Sequence, residues 1–127
     1  MKKNDKRPKY LNLLKIRLPI TGIASINHRI SGLILFLSIP FSLYLLQLSL
    51  SSEAGFITAV SYFSSGWVKL ALIILLWSFI HHLFAGIRFL LIDQNIGVSL
   101  AVARMSAWIV IVAALVVVLV ISGGWIL

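Results

Sequence analysis

The chain reads as an all-α integral membrane protein with three transmembrane helices, and three observations predict this. It is 61% hydrophobic with a mean hydropathy of +1.08, more apolar surface than a core of 127 residues can hide, so lipid is the solvent it suits. It contains three apolar runs, each of the length that crosses a bilayer. Most of its positive charge is gathered at one end. Lys2, Lys3, Lys6, Arg7, Lys9, Lys15 and Arg17 all precede the first apolar run. The formal net charge of +8 therefore reads as an orientation signal beside a membrane span, not as a nucleic-acid surface. With no cysteine there is no disulfide framework and no thiolate metal site. A metal would have to be held by histidine or carboxylate, and the chain has three of each.

Residues 1–24 form a basic segment with breakers at Pro8 and Pro19. It either touches a soluble partner or acts only as a solvated topology signal. The apolar run that follows is too long for a signal-peptide core and ends on no small-x-small cleavage site, so a signal peptide is not expected. The transmembrane domain is expected over 25–127. Span one is expected over about 25–49, ~37 Å of helix, enough to cross with some tilt. Pro40 inside it removes one backbone donor, so a kink is expected there, with Ser38 or Ser42 able to compensate. The weakly polar stretch Ser51–Gly66 has room for a short interfacial helix over 54–63.

Span two is expected over about 67–92, with Trp67 and Lys69 at one interface and Arg88 and Asp93 at the other. The short link Asp93–Arg104 carries Asn95 and Gly97 as turn residues. Span three, about 105–126, has Trp108 and Trp125 near its ends and no interrupting charge, so it offers packing and no chemistry. Counting three spans puts the N-terminus and the 93–104 link on one side. That side holds nearly all the Lys and Arg, so the positive-inside rule places the N-terminus in the cytoplasm, or on the matrix side in an organelle.

Two polar clusters interrupt this scaffold. The first is S-I-N-H-R-I-S-G at Ser25–Gly32. On a helix Ser25, His28 and Arg29 stand at i, i+3 and i+4 and share a face. A charge held inside a span is costly and is retained for function. Local roles compete with that reading: Ser25 as a helix cap, Arg29 as a snorkelling anchor, Gly32 as a plain close-packing residue. The second cluster is His81 and His82, deep in span two; His82 lies ~15 Å from the cytoplasmic end. Such a histidine is either a cofactor ligand or satisfied by an interhelical hydrogen bond. Ser78, His82, Gly86, Phe89 and Asp93 fall on one stripe, and His81 points about 100° away. Adjacent histidines cannot ligate opposite faces of one iron. His28 is expected near the cytoplasmic mouth, ~15 Å from His82, too far to be the opposite ligand. If His82 binds a six-coordinate haem, the second axial ligand must come from another chain. Non-redox readings stay open: an anchor that only docks soluble subunits, or a proton or ion conduit through His81, His82 and Asp93.

Arg7–Pro8, L-P-I-T at Leu18–Thr21, S-I-N-H-R-I-S-G at Ser25–Gly32 and H-L-F-A-G-I-R-F-L-L-I-D at His82–Asp93 follow one another in order. Together they strongly resemble the cytochrome b subunit family of succinate dehydrogenase, the larger membrane anchor of respiratory complex II. The resemblance covers nearly the whole chain. It implies a three-helix anchor in a heteromeric helical bundle of the bacterial inner membrane, with a flavoprotein subunit, an iron–sulfur subunit and a second small anchor as partners. It implies haem b with His82 as an axial iron ligand, shared with the second anchor. Ser25 and Arg29 match residues lining the ubiquinone site, and His28 and Arg29 match positions near the haem propionates. Asp93 matches an acid near the quinone pocket. The chain would be a subunit of succinate:ubiquinone oxidoreductase, in the respiratory chain and tricarboxylic acid cycle, with no catalytic centre of its own for succinate. The alternative is a non-haem anchor or assembly subunit of a related fumarate reductase. One departure stands out: the family commonly has G-I-R-H, and here Phe89 replaces that histidine.

Overall fold

A computed structural model describes residues 18–126, with side chains described as far as Gly124. The basic tail, the Arg7–Pro8 motif and the Trp125 side chain lie outside that range. Among the described residues four helices follow in order: α1 (Ile20–Ser51), α2 (Glu53–Tyr62), α3 (Gly66–Asp93) and α4 (Leu100–Ile126). Three of them, α1, α3 and α4, are long and apolar enough to cross a membrane. The fold is the all-α, three-span membrane architecture that the hydropathy predicts.

The boundaries show how local chemistry sets each element. α1 begins at Ile20, earlier than the apolar run alone indicates, because Pro19 stands at its N-cap with extended backbone. There the missing proline N–H costs nothing, and the Pro19 carbonyl accepts from Gly22 N and Ile23 N at 2.8 and 3.1 Å. The helix continues past Pro40 to Ser51. Ser38, two residues before the proline, donates its hydroxyl back to the Leu35 carbonyl at 2.7 Å. α2 is the short helix expected between spans. Ser52 caps it by accepting from Gly55 N at 3.0 Å, and Glu53 stands in its first turn, where the helix dipole favours a negative charge. It folds back on α1 so closely that a Cβ at Gly55 would strike the Leu48 carbonyl and the Ser51 hydroxyl. The α3–α4 link turns on the two residues the sequence singles out, Asn95 (φ 62°) and Gly97 (φ 76°). Both lie in the left-handed region, which asparagine and glycine enter at least cost. α4 starts at Leu100, before Arg104, whose side chain is exposed in the second turn.

Packing follows membrane rules. The residues with no exposure on the three spans are small ones: Ala24 and Ser31 on α1, Ser78 and Ala85 on α3, Ala107 and Ala114 on α4. Large side chains such as Phe36, Leu90 and Leu119 point outward. In lipid no hydrophobic force draws them in, and small residues let the backbones approach.

Arg88 departs from its expected place as an interfacial anchor. It is 7% exposed. Its Nε donates to Ser106 Oγ at 2.9 Å and its Nη2 to the Ala103 carbonyl at 3.0 Å, fastening the end of α3 to the start of α4. The short turn between these helices brings Ala103 and Ser106 within reach of the guanidinium, which saves it from ending unpaired in an apolar layer. Ser106→Ala leaves Nε without that acceptor. It is expected to lower stability by ~1–3 kcal/mol, read as a drop in the thermal midpoint of the purified complex in detergent. Ser122→Ala, which removes only a 3.4 Å bond within α4, is expected to change it by less than ~0.5 kcal/mol.

Candidate functional site

The two polar clusters meet. α1 and α3 run antiparallel, and the His28 and His82 rings stack face to face, centroids 4.1 Å apart and 11° from parallel. This corrects the expected depth of His28. Because α1 starts at Ile20, His28 lies ~12 Å inside its helix, while His82 lies ~16 Å from the far end of α3. Antiparallel packing therefore puts the two rings at nearly one level.

Each histidine fits over a glycine of the opposite helix. A Cβ at Gly32 would stand 2.9 Å from His82 Cε1, and a Cβ at Gly86 would stand 3.7 Å from His28 Nε2. The expectation that Gly32 permits close packing and that Gly86 leaves room for a planar group or a close helix holds, and the occupant over Gly86 is the His28 ring. Phe89 completes the wall, its ring 5.2 Å from His28 and tilted by 59°. Three members of the predicted stripe, His82, Gly86 and Phe89, thus face one side chain of α1.

The polar atoms are settled in one direction. His82 Nδ1 lies 3.1 Å from the His28 carbonyl and 3.2 Å from Ser31 Oγ. The Ser31 hydroxyl itself donates to the same carbonyl at 2.8 Å. A carbonyl only accepts, so this pattern puts the ring proton on Nδ1. Nε2 then carries the lone pair and has no hydrogen bond among the described residues. A metal-binding histidine is oriented in this way, one nitrogen donating to a carbonyl and the other left for the metal. The donor set fits one histidine contact to a haem iron, which His82 would make. Among the described residues no cluster of three or more His, Cys, Asp or Glu could hold a bare metal ion. His28 does not serve as the opposite ligand in this arrangement, for a reason other than distance. Ligands on opposite sides of an iron point at each other along one axis, and stacked rings do not.

The remaining predicted residues are spread out. Ser25 is half-buried inside α1, well past the Pro19 cap, so the helix-cap reading of Ser25 fails. Arg29, one turn on, is exposed. The face expected to carry Ser25, His28 and Arg29 together therefore divides: His28 turns to α3 while Arg29 points out of the bundle. Asp93 is the exposed last residue of α3, ~16 Å along the axis from His82, and it does not join the cluster. Ser78 bonds back to the Ile74 carbonyl at 2.9 Å and takes no part.

His81 lies on a different face of α3. It is 1% exposed, stacks on Trp77 at 5.3 Å, and neither ring nitrogen makes a geometrically sound hydrogen bond among the described residues, although the Ala24 backbone lies beside it. His81, His82 and Asp93 do not line up as a conduit. A cleft of about 470 Å³ between α3, the link and α4 is lined by Ile87, Leu91, Ile109 and other apolar groups and touches none of the histidines. Its lining includes Arg88, which with Ser31 was not singled out as a site residue. A serine three residues after a histidine was the only sequence signal for Ser31.

The description "Succinate dehydrogenase/Fumarate reductase transmembrane subunit" matches residues 3–121. The chain belongs to this transmembrane-subunit family. A succinate dehydrogenase cytochrome b556 subunit of Coxiella burnetii is 41% identical over 97% of the chain and 98% of its own length. A cytochrome b560 subunit of Reclinomonas americana is 33% identical over 85% and 78%. A cytochrome b556 subunit of Rickettsia felis is 27% identical over 87% and 86%. Within the family, the chain is thus similar to cytochrome b subunits of succinate dehydrogenase, as its motifs imply. The family match runs through both histidine helices and their glycines.

His81 supplies a sharp check on this assignment of roles. If it is a packing residue, His81→Leu removes two nitrogens that have no hydrogen-bond partner among the described residues. It is expected to leave stability unchanged or raise it by ~1 kcal/mol, read from the thermal midpoint of the assembled complex. A fall of that size would show that the imidazole has a hydrogen-bonding partner.

Proposed function

We propose that this chain is the cytochrome b membrane anchor of a succinate dehydrogenase, holding haem b through His82 and forming one wall of a ubiquinone-reduction site. The observation that carries the reading is His82 itself: an imidazole at mid-depth, fixed by Nδ1 against the His28 carbonyl and Ser31, with Nε2 left for iron. The bound haem would supply a one-electron store. The chain's own work is to orient that nitrogen, exclude water with the stacked His28 and Phe89 rings, and hold positive charge nearby.

Ser25 and Arg29 are the quinone-facing pair in this reading. Quinone reduction builds negative charge on the ring oxygens. The Arg29 guanidinium stabilises it, and the Ser25 hydroxyl donates to a carbonyl oxygen and passes on a proton. The exposure of Arg29 inside a span supports the pairing, because a cation facing lipid is costly and one facing a partner chain and a polar ligand is not. His28 and Arg29 lie on adjacent sides of α1 and suit haem propionates. Asp93, at the end of α3, belongs to the rim at most. A flavoprotein and an iron–sulfur subunit would deliver electrons from succinate, and a second small anchor would supply the other ligand to the haem. The N-terminus would face the cytoplasm and the bundle would lie in the inner membrane of a bacterium. The family also includes anchors of fumarate reductase. The names of the relatives favour succinate oxidation.

His82→Ala in the co-expressed complex is expected to abolish or shift the b-type reduced-minus-oxidised spectrum while succinate-dependent dye reduction largely survives. An unchanged spectrum would remove His82 as ligand. Arg29→Leu is expected to lower succinate–ubiquinone turnover by ~10²-fold or more, with dye reduction within ~2-fold of the unmodified complex. Equal loss of both activities would assign Arg29 to assembly instead.

A further inference from the structure

We infer that Gly32 is the positioning residue for the His82 ring: the side chain it lacks is the space that fixes where Nε2 points. The inference rests on the haem reading of His82 and adds a determinant that neither the family description nor the ligand assignment supplies.

The two glycines of the site look equivalent in sequence, each one turn from a histidine. The structure separates them. At Gly86 an added methyl would make ordinary contact, 3.7 Å from His28 Nε2. At Gly32 it would stand 2.9 Å from His82 Cε1, 3.3 Å from Nδ1 and 3.9 Å from Nε2. The first distance is inside the contact limit, so something must move. The ring cannot retreat toward Nδ1 without giving up the His28 carbonyl and Ser31 hydroxyl, at 3.1 and 3.2 Å. Nor can it tilt out of plane freely, because the His28 ring covers its face at 4.1 Å. The remaining motion is a swing that carries Nε2 with it. Glycine is a poorer helix former than alanine, so its presence at 32 is a local cost, and ring clearance is the gain that offsets it.

The test uses the whole complex, purified in detergent after co-expression, as Gly32→Ala, Gly86→Ala and His82→Ala variants. The readouts are haem content, the low-spin ferric resonance signal and carbon monoxide binding by the reduced complex. Gly32→Ala is expected to weaken haem retention by ~10- to 100-fold, the range seen when the groups that orient a metal ligand are disturbed. It is also expected to open the reduced haem to carbon monoxide, while Gly86→Ala stays close to the unmodified complex in all three. A Gly32→Ala complex indistinguishable from the unmodified one would overturn the inference, as would equal effects of the two alanines. If Gly32→Ala fails to assemble, the double variant with His82→Ala decides. Assembly restored to the level of His82→Ala alone supports a clash with the ring, and continued failure assigns Gly32 to backbone packing and rejects the role. The haem reading fails separately, if His82→Ala keeps the native spectrum.

Discussion

The interlock of His28 and His82 between antiparallel helices is the constraint on which the rest of the membrane domain depends. Each ring occupies the space above a glycine on the facing helix, and the two rings cover one another. That arrangement fixes the register of α1 against α3. It also fixes the tautomer of His82, because the His28 carbonyl beside Nδ1 can only accept a hydrogen bond. One structural device therefore both packs the helices and leaves His82 Nε2 without a hydrogen bond among the described residues. In a membrane this economy matters, since an imidazole without a partner at that depth is costly.

The third span plays a different part. α4 carries no reactive group, yet it accepts the Arg88 guanidinium through Ser106 and Ala103. Arg88 is three residues beyond Ala85 and six beyond His82, which puts it ~120° round α3 from His82. The helix thus separates its duties by face: one face binds α4 through a charge, the other meets α1 through the histidine stack. Phe89 stands next to Arg88, its ring 5.3 Å from the guanidinium carbon, and against His28. Phe89 is thus an aromatic wall with no proton to pass.

Much of this was legible in the sequence. Hydropathy gave the three spans, and Asn95 and Gly97 gave the turn, because the residues that tolerate positive φ are few. The stripe through His82, Gly86 and Phe89 followed from helical periodicity. What failed was depth. The polar stretch Ser25–Gly32 read as a mouth because charge is expected at an interface, whereas Pro19 moves the start of α1 outward and carries His28 in with it.

By itself the sequence determined composition-level facts and local ones: a lipid solvent, three helices, their turns, and which residues share a helical face. These depend on transfer free energy and on the 3.6-residue period, both of which act within one segment. Only the tertiary structure decided that His28 covers His82, that its carbonyl and Ser31 settle the Nδ1 proton, that Gly32 stands closer to the His82 ring than Gly86 does to the His28 ring, and that Arg88 is bound to α4. Each is a contact between residues far apart in the chain. Each is set by how far two antiparallel helices slide before small residues let them close, and no single helix encodes that distance.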